Sequence, residues 1–369
     1  MRCCRIFFSL LLVFTSLSII SATAAERYQQ MVITQHGGPE VLRWVSKKGL
    51  PQPGPGEVRL KVLRASASFT DIMVRKGSYQ GIDAELPYPP GYDLVGMVDA
   101  LGDGVSGLEL GQRVADLTVW GAYSEYVTRP AAGVVAVPDA ISSEQAVVLI
   151  LSYVTAYQML YRVAEVKPEQ RVLIHGASGA VGTALAQLGR MSGLEMWGTA
   201  STAKQDYVRA LGVQPIDYKT EDFVKRINAD TDGKGVDLVL DAIGPDNFMR
   251  SYSVLAEDGL LLEYGLYNAS LRGDQLDVLL DVAQWQWQEL MWRWFPEQER
   301  RTTFYSIGDL RTEQPEWFKQ DLAALFELSL EGSVEPHIHD VMHLEHAAAA
   351  HRAIENGDVR GKIVLHVSD

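Results

Sequence analysis

The run Val172-Leu173-Ile174-His175, followed by Gly176-Ala177-Ser178-Gly179-Ala180-Val181-Gly182 and a helix-forming stretch, constrains this chain more than any other feature. A Gly-rich pattern alone is weak evidence. An apolar strand before it and a helix after it are the context in which it predicts a dinucleotide site. Small residues let the backbone approach a pyrophosphate, and the unsatisfied N–H groups at the helix start hold its charge. Gly176, Ala177, Gly179, Ala180 and Val181 are therefore the expected phosphate-binding residues. Ala177 stands where the usual G-x-G-x-x-G has its first glycine, which adds one methyl group to the turn.

Around this turn, strands and helices alternate: strand 171–175, helix 180–192, strand 194–198, helix 203–211, strand 215–217, helix 221–228, strand 236–241, helix 247–255 and strand 259–264. Repeated βα units at this spacing predict an α/β fold with a doubly wound parallel sheet. Residues 31–138 read differently, as short alternating runs such as Glu57-Val58-Arg59-Leu60-Lys61-Val62-Leu63 divided by turn signals such as Pro53-Gly54-Pro55-Gly56. That texture predicts a compact, mostly antiparallel β domain. Ser142-Ser143-Glu144-Gln145 has the form of a capping box opening a long helix. The tail supplies helix 317–331, strand 334–339, helix 344–356 and strand 362–367. At 369 residues two domains are expected: a β-rich domain over 25–150 and a dinucleotide domain over 151–310, with segment 311–369 returning to the first.

Residues 1–24 stand apart. Arg2 and Arg5 flank a mostly apolar run, and Ser21-Ala22-Thr23-Ala24-Ala25 follows, which reads as a secretory signal peptide. Export is the expectation, with an uncleaved anchor as a variant of it; a misassigned start, with the folded chain beginning near Met31 in the cytoplasm, is the rival reading.

Charge and residue type narrow the function. The net charge of −14 argues against a general nucleic-acid binder, which would carry a basic face. The only cysteines are Cys3 and Cys4, so thiolate zinc sites are excluded from the remainder. An NAD site wants an acid at the end of the second strand, about 20 residues beyond the turn. Gly198-Thr199-Ala200-Ser201 has none, and Lys204 just beyond suits a 2′-phosphate, so NADPH is the expected cofactor.

Taken together, these motifs resemble the medium-chain dehydrogenase/reductase superfamily in its zinc-independent quinone oxidoreductase (zeta-crystallin-like) division. The resemblance rests on Gly37-Gly38-Pro39-Glu40-Val41-Leu42, Pro89-Pro90-Gly91-Tyr92-Asp93-Leu94-Val95-Gly96, the glycine turn and Gly361-Lys362-Ile363-Val364-Leu365. Ser68-Phe69-Thr70-Asp71-Ile72-Met73 and a Trp-rich segment look closer to the vesicle amine-transport-protein homologue branch. The resemblance implies a GroES-like substrate domain, a Rossmann domain, a cleft between them, and a homodimer formed through the sheet edge, with 302–307 as the candidate strand. By position, Thr155, Gly265 and Leu266 would border the nicotinamide half. Ser201, Lys204 and Tyr218 would surround the 2′-phosphate, and Lys362 would approach from the tail. Zinc-dependent members carry Cys, His and Glu where this chain has Ser68, Tyr92 and Asp93, so no metal site is expected.

Without a Lewis acid, the natural chemistry is hydride transfer to a quinone or α,β-unsaturated carbonyl, whose conjugation already accepts hydride. Tyr79 and Tyr92 are the candidate donors to the substrate oxygen. Asp71 is a third candidate, read mainly as a brace for its loop. The other class is a cofactor-binding protein with little turnover and a structural or vesicle-associated role. In 284–295, Trp285 and Trp292 are seven residues apart, as are Trp287 and Trp294, so a helix would carry two indole stripes. Burial against core or cleft is the first reading, with a dimer contact or peripheral membrane contact as alternatives. His337 and His339 have a strand-face spacing that a metal could use, but the family tail has the same strand without a site.

Overall fold

The structure is a computed structural model and describes residues 26–79, 82, 84–272, 275–294 and 300–369. The leader expected over 1–24 lies outside the described residues.

Six parallel strands form one sheet in the order Gln214–Asp217, Glu195–Ala200, Arg171–Ile174, Val236–Asp241, Leu255–Glu263, Arg301–Phe304. By chain position this is the order 3-2-1-4-5-6 of a doubly wound dinucleotide fold, whose ligand crevice opens where the order reverses. Val172, Leu173 and Ile174 lie at that reversal, and all three are buried. A strand covered on both faces needs such an unbroken apolar run. Each fully buried side chain of this kind contributes about 1.5–3 kcal/mol.

A second sheet belongs to the β-rich part. Glu57–Ala67 pairs antiparallel with Asp93–Leu101 on one side and with the tail strand Lys362–His366 on the other. Ile338–His343 adds beyond the tail strand in parallel. Arg27–Ile33 and Leu42–Lys48 form a separate antiparallel pair.

The capping box at Ser142 is present, with its hydroxyl accepting from Gln145 N and the Gln145 side chain returning to the Ser142 N–H. The helix it opens, Ser143–Val163, is apolar and long enough to cross a membrane, but 78% of its most apolar window is buried in the fold, as in a core helix. It contains two π-helical stretches, Leu149–Tyr153 and Gln158–Val163.

Two expected boundaries differ for identifiable reasons. The strand expected over 334–339 begins only at Ile338. Pro336 lacks a ladder N–H, and the Gln187 side chain holds both the N–H and the carbonyl of Glu335. The edge strand expected over 302–307 ends at Phe304, because Ser306 caps the helix Ile307–Glu313. The two indole stripes of Gln275–Trp294 part company: Trp292 stacks on Tyr252 at 3.9 Å and Trp285 packs near Phe304, while Trp287 and Trp294 are 63% and 71% exposed.

Candidate active site

The C-terminal ends of the parallel strands and the β-rich domain enclose a cleft of about 760 Å³. At one end lies the glycine turn. Gly176 adopts φ +68°, a left-handed conformation that favours glycine. Gly179 caps the helix Ala180–Met191 without a side-chain hydrogen bond, so the first helical N–H groups face the cleft. Gly176, Gly179, Ala180 and Val181 all line it. A Cβ on Gly182 would sit 2.4 Å from the Gly176 carbonyl oxygen, so only glycine lets the helix approach the turn this closely.

Ala177 lies behind the turn rather than on the cleft wall and is fully buried. Its methyl fits because the facing strand has Gly198, where a Cβ would come within 2.6 Å of Ala177 Cβ. The departure from the usual pattern is thus matched one strand away. The tail fastens the same turn: Gly361 N donates to the Ser178 carbonyl at 3.0 Å, beside a bridge between Gly179 and Gly361.

Ser201, Lys204 and Tyr218 line the cleft beyond the second strand. Lys204 Nζ donates to the Val359 carbonyl at 2.5 Å, which aims a long side chain. Burial lowers its pKa, Arg360 adds to the shift and Asp358 opposes it. Arg360 donates to the Ala203 carbonyl at 3.3 Å and so brings a second cation to this corner. Sequence reasoning missed Arg360, since nothing local ties a loop residue of the tail to a turn about 150 residues earlier.

Thr155, Gly265, Leu266 and Lys362 also line the cleft. Thr155 sits between the two π-helical stretches, irregularities that often mark functional positions. Lys362 is 2% exposed, with Nζ 3.9 Å from Asp93 Oδ2. Asp93 Oδ1 accepts from both the N–H and the hydroxyl of Ser66. Burial raises the Asp93 pKa against the opposing pull of Lys362 and Ser66.

At the far end, Tyr79 and Tyr92 meet edge to face, their hydroxyl oxygens 2.5 Å apart. Burial raises both pKa values, so both hydroxyls keep their protons near neutral pH. The aromatic wall continues with Phe69 against Tyr267, ring centroids 4.4 Å apart, a pair that joins the two domains across the cleft. Asp71 does not reach the cleft. It is fully buried at the N3 position of Phe69–Lys76 and forms a capping box with Ser68, which does line the cleft. The S-x-x-D spacing was available as a signal for that brace.

A catalytic zinc does not fit these groups. Ser68 Oγ is bonded to Asp71, the Tyr92 hydroxyl to Tyr79 and Asp93 to Ser66. Among the described residues no group of three or more His, Cys, Asp or Glu side chains is arranged to hold a metal.

Residues 54–139 match the family described as alcohol dehydrogenase GroES-like domain, and residues 211–365 the family described as zinc-binding dehydrogenase. The human synaptic vesicle membrane protein VAT-1 homolog is 32% identical over 91% of this chain and 85% of its own length. The crystal structure of Escherichia coli quinone oxidoreductase complexed with NADPH superposes with a TM-score of 0.80 at 28% identity, covering 92% of this chain and all of that one. The CurK enoyl reductase superposes with a TM-score of 0.79 at 25% identity, over 92% of this chain and 99% of that one.

Proposed function

This chain belongs to the medium-chain dehydrogenase/reductase superfamily, and from that premise we propose that it is a zinc-independent NADPH-dependent reductase of quinones or α,β-unsaturated carbonyls. One observation carries the reading: the phosphate-binding turn and the Tyr79–Tyr92 hydroxyl pair line a single cleft. Similarity to an NADPH-bound quinone oxidoreductase and to an enoyl reductase supports it.

When bound, NADPH supplies the hydride. Gly179, Ala180 and Val181 hold its pyrophosphate through backbone N–H groups, and Ser201, Lys204 and Tyr218 select the 2′-phosphate. Thr155, Gly265, Leu266 and Lys362 frame the nicotinamide half. One tyrosine hydroxyl donates to the other, and the hydrogen left free donates to the acceptor oxygen as negative charge develops there. Phe69, Tyr267 and the two tyrosines favour a flat conjugated acceptor.

The test is loss of NADPH absorbance with a panel of quinones and enones. Turnover that depends on the acceptor supports a reductase; tight NADPH binding without turnover across the panel favours the cofactor-binding role instead. We also propose that the edge strand Arg301–Phe304 pairs with a second copy, which sedimentation checks, and that residues 1–24 direct export, which sequencing the mature N-terminus checks.

A further inference from the structure

We propose that Ser68 delivers the proton to the reduced acceptor and that buried Asp71 supplies it from behind the cleft wall. The inference rests on the reductase reading.

Ser68 lines the acceptor end of the cleft, and its Oγ lies 2.6 Å from Asp71 Oδ2. Toward an ionised Asp71 the Ser68 hydroxyl donates to Oδ2, as the Ser68 N–H does at 2.8 Å, while Ser68 Oγ accepts from the Asp71 N–H at 3.2 Å. With a proton on Asp71 Oδ2, Ser68 Oγ accepts from both groups, which frees its own hydrogen for the cleft. Asp71 Oδ1 is buried and makes no close hydrogen bond of its own; the Tyr123 hydroxyl faces the same carboxyl, and the setting is a poor one for a full negative charge.

The surrounding charges are committed elsewhere. On the same helix, Arg75 bonds to Glu355 at 2.6 Å, to His351 and to the Gly37 carbonyl, and Lys76 reaches the same Glu355. From the tail, Lys362 turns to Asp93, itself a second buried carboxyl whose charge opposes ionisation of Asp71. The Tyr123 hydroxyl meets His351 Nε2 at 3.1 Å, and His351 is held neutral by burial and Arg75. Tyr79 and Tyr92 complete the cleft side. No lysine, arginine or histidine among the described residues pairs with Asp71.

Burial accordingly pushes the Asp71 carboxyl up to about 7, with the Ser68 hydrogen bonds and Lys362 opposing and Asp93 adding. A proton donor works best when its pKa lies near the operating pH. Tyr79 and Tyr92 hold their protons above their ordinary value of 10.0, so they suit hydrogen bonding better than proton release. The division of labour follows: the tyrosines steady the oxyanion, and the Asp71–Ser68 pair discharges it.

The step balances as a proton transfer. A reduced nicotinamide dinucleotide gives the acceptor a hydride, hence both electrons. The Ser68 O–H breaks as an O–H forms on the acceptor oxyanion, and Asp71 Oδ2–H breaks as Ser68 regains its proton. Asp71 is left as a carboxylate and is reprotonated through Ser68 by water that enters the cleft after the product leaves.

The experiment combines kinetics with a readout free of turnover. In the wild type, kcat should fall as pH rises through about 7, because the protonated form of Asp71 is the competent one. Ser68→Ala and Asp71→Asn should each lower kcat by roughly 100-fold and abolish that alkaline limb, with unchanged NADPH affinity, while Ser68→Thr restores it. Carbon-13 NMR of aspartate-labelled protein should show one carboxyl titrating near neutrality that is missing in Asp71→Asn. The relay is overturned if Ser68→Ala keeps its rate and alkaline limb, or if every aspartate titrates in the ordinary carboxylate range. A wild type that binds NADPH but turns over no acceptor overturns the reductase reading, and the relay with it.

Discussion

At the end of the cleft proposed for the phosphates the lining is backbone: Gly176, Gly179 and the open N–H groups of Ala180–Met191. At the end proposed for the acceptor the lining is side chains: Ser68, Tyr79 and Tyr92, each from a different loop or helix start. A backbone site depends on how closely the chain can approach itself, so its sensitive positions are those where any Cβ collides. A side-chain site depends on where separate segments bring functional atoms, so its sensitive positions are hydroxyls and carboxyls. Damage at the first end should be steric and felt by every dinucleotide; damage at the second should be chemical and leave cofactor binding alone.

The sharpest way to break that contrast is at Gly182. Gly182→Ala forces a methyl against the Gly176 carbonyl, with an expected strain of about 1–3 kcal/mol. NADPH and NADH affinity should fall together by roughly 10- to 100-fold, as read by fluorescence titration. Selective loss of one dinucleotide would show that the turn does more than approach a shared pyrophosphate. At the acceptor end, Tyr79→Phe removes one of two paired hydroxyls without changing shape. It should lower kcat by roughly 100-fold while NADPH affinity stays the same, and full activity on every acceptor would leave oxyanion support to Tyr92 alone.

Lys204 sharpens the comparison because it is a side chain at the backbone end. Lys204→Ala should weaken NADPH by about tenfold and leave NADH nearly unchanged in the same titration. Equal losses would mean that the lysine serves the fold through its bond to Val359 rather than the 2′-phosphate. The smallest effect on the cleft is expected at Glu263, buried at the end of Leu255–Glu263 and outside the cleft lining. Burial pushes its carboxyl up to about 9, Glu289 and Asp241 add to this and Trp285 opposes. Because the folded pKa exceeds the unfolded value of 4.5, the folded state binds the extra proton between these limits. Stability should therefore decline as pH rises from about 4.5 to about 9, and Glu263→Gln should flatten that decline in thermal unfolding without altering NADPH affinity.

How much could be read in advance differs at the two ends for the same reason. The turn from Gly176 to Gly182 was legible because its residues are consecutive and its glycines answer to local geometry. Even there, Ala177 read as a blemish until Gly198 proved to face it from the next strand. The tyrosines and Asp71 were legible as residue types at family positions, but not as a 2.5 Å hydroxyl pair and a carboxyl sealed behind Ser68. The indole spacing of seven predicted two stripes; which of them faces Tyr252 and which faces solvent depends on how the helix docks.

By itself, then, the sequence determined the alternation that builds the parallel sheet, the phosphate turn, the missing acid before Lys204 and the lack of zinc ligands. All follow from short-range periodicity, backbone sterics and residue chemistry. The return of the tail to the first domain was expected; only the tertiary structure decided that Lys362–His366 pairs with Glu57–Ala67 in this register, carrying Lys362 to Asp93, Arg360 to the Lys204 corner and Gly361 to the turn. Those pairings join residues from about 150 to about 300 positions apart, and no local rule sets such a distance; closing the loops and burying both faces of the tail strand does.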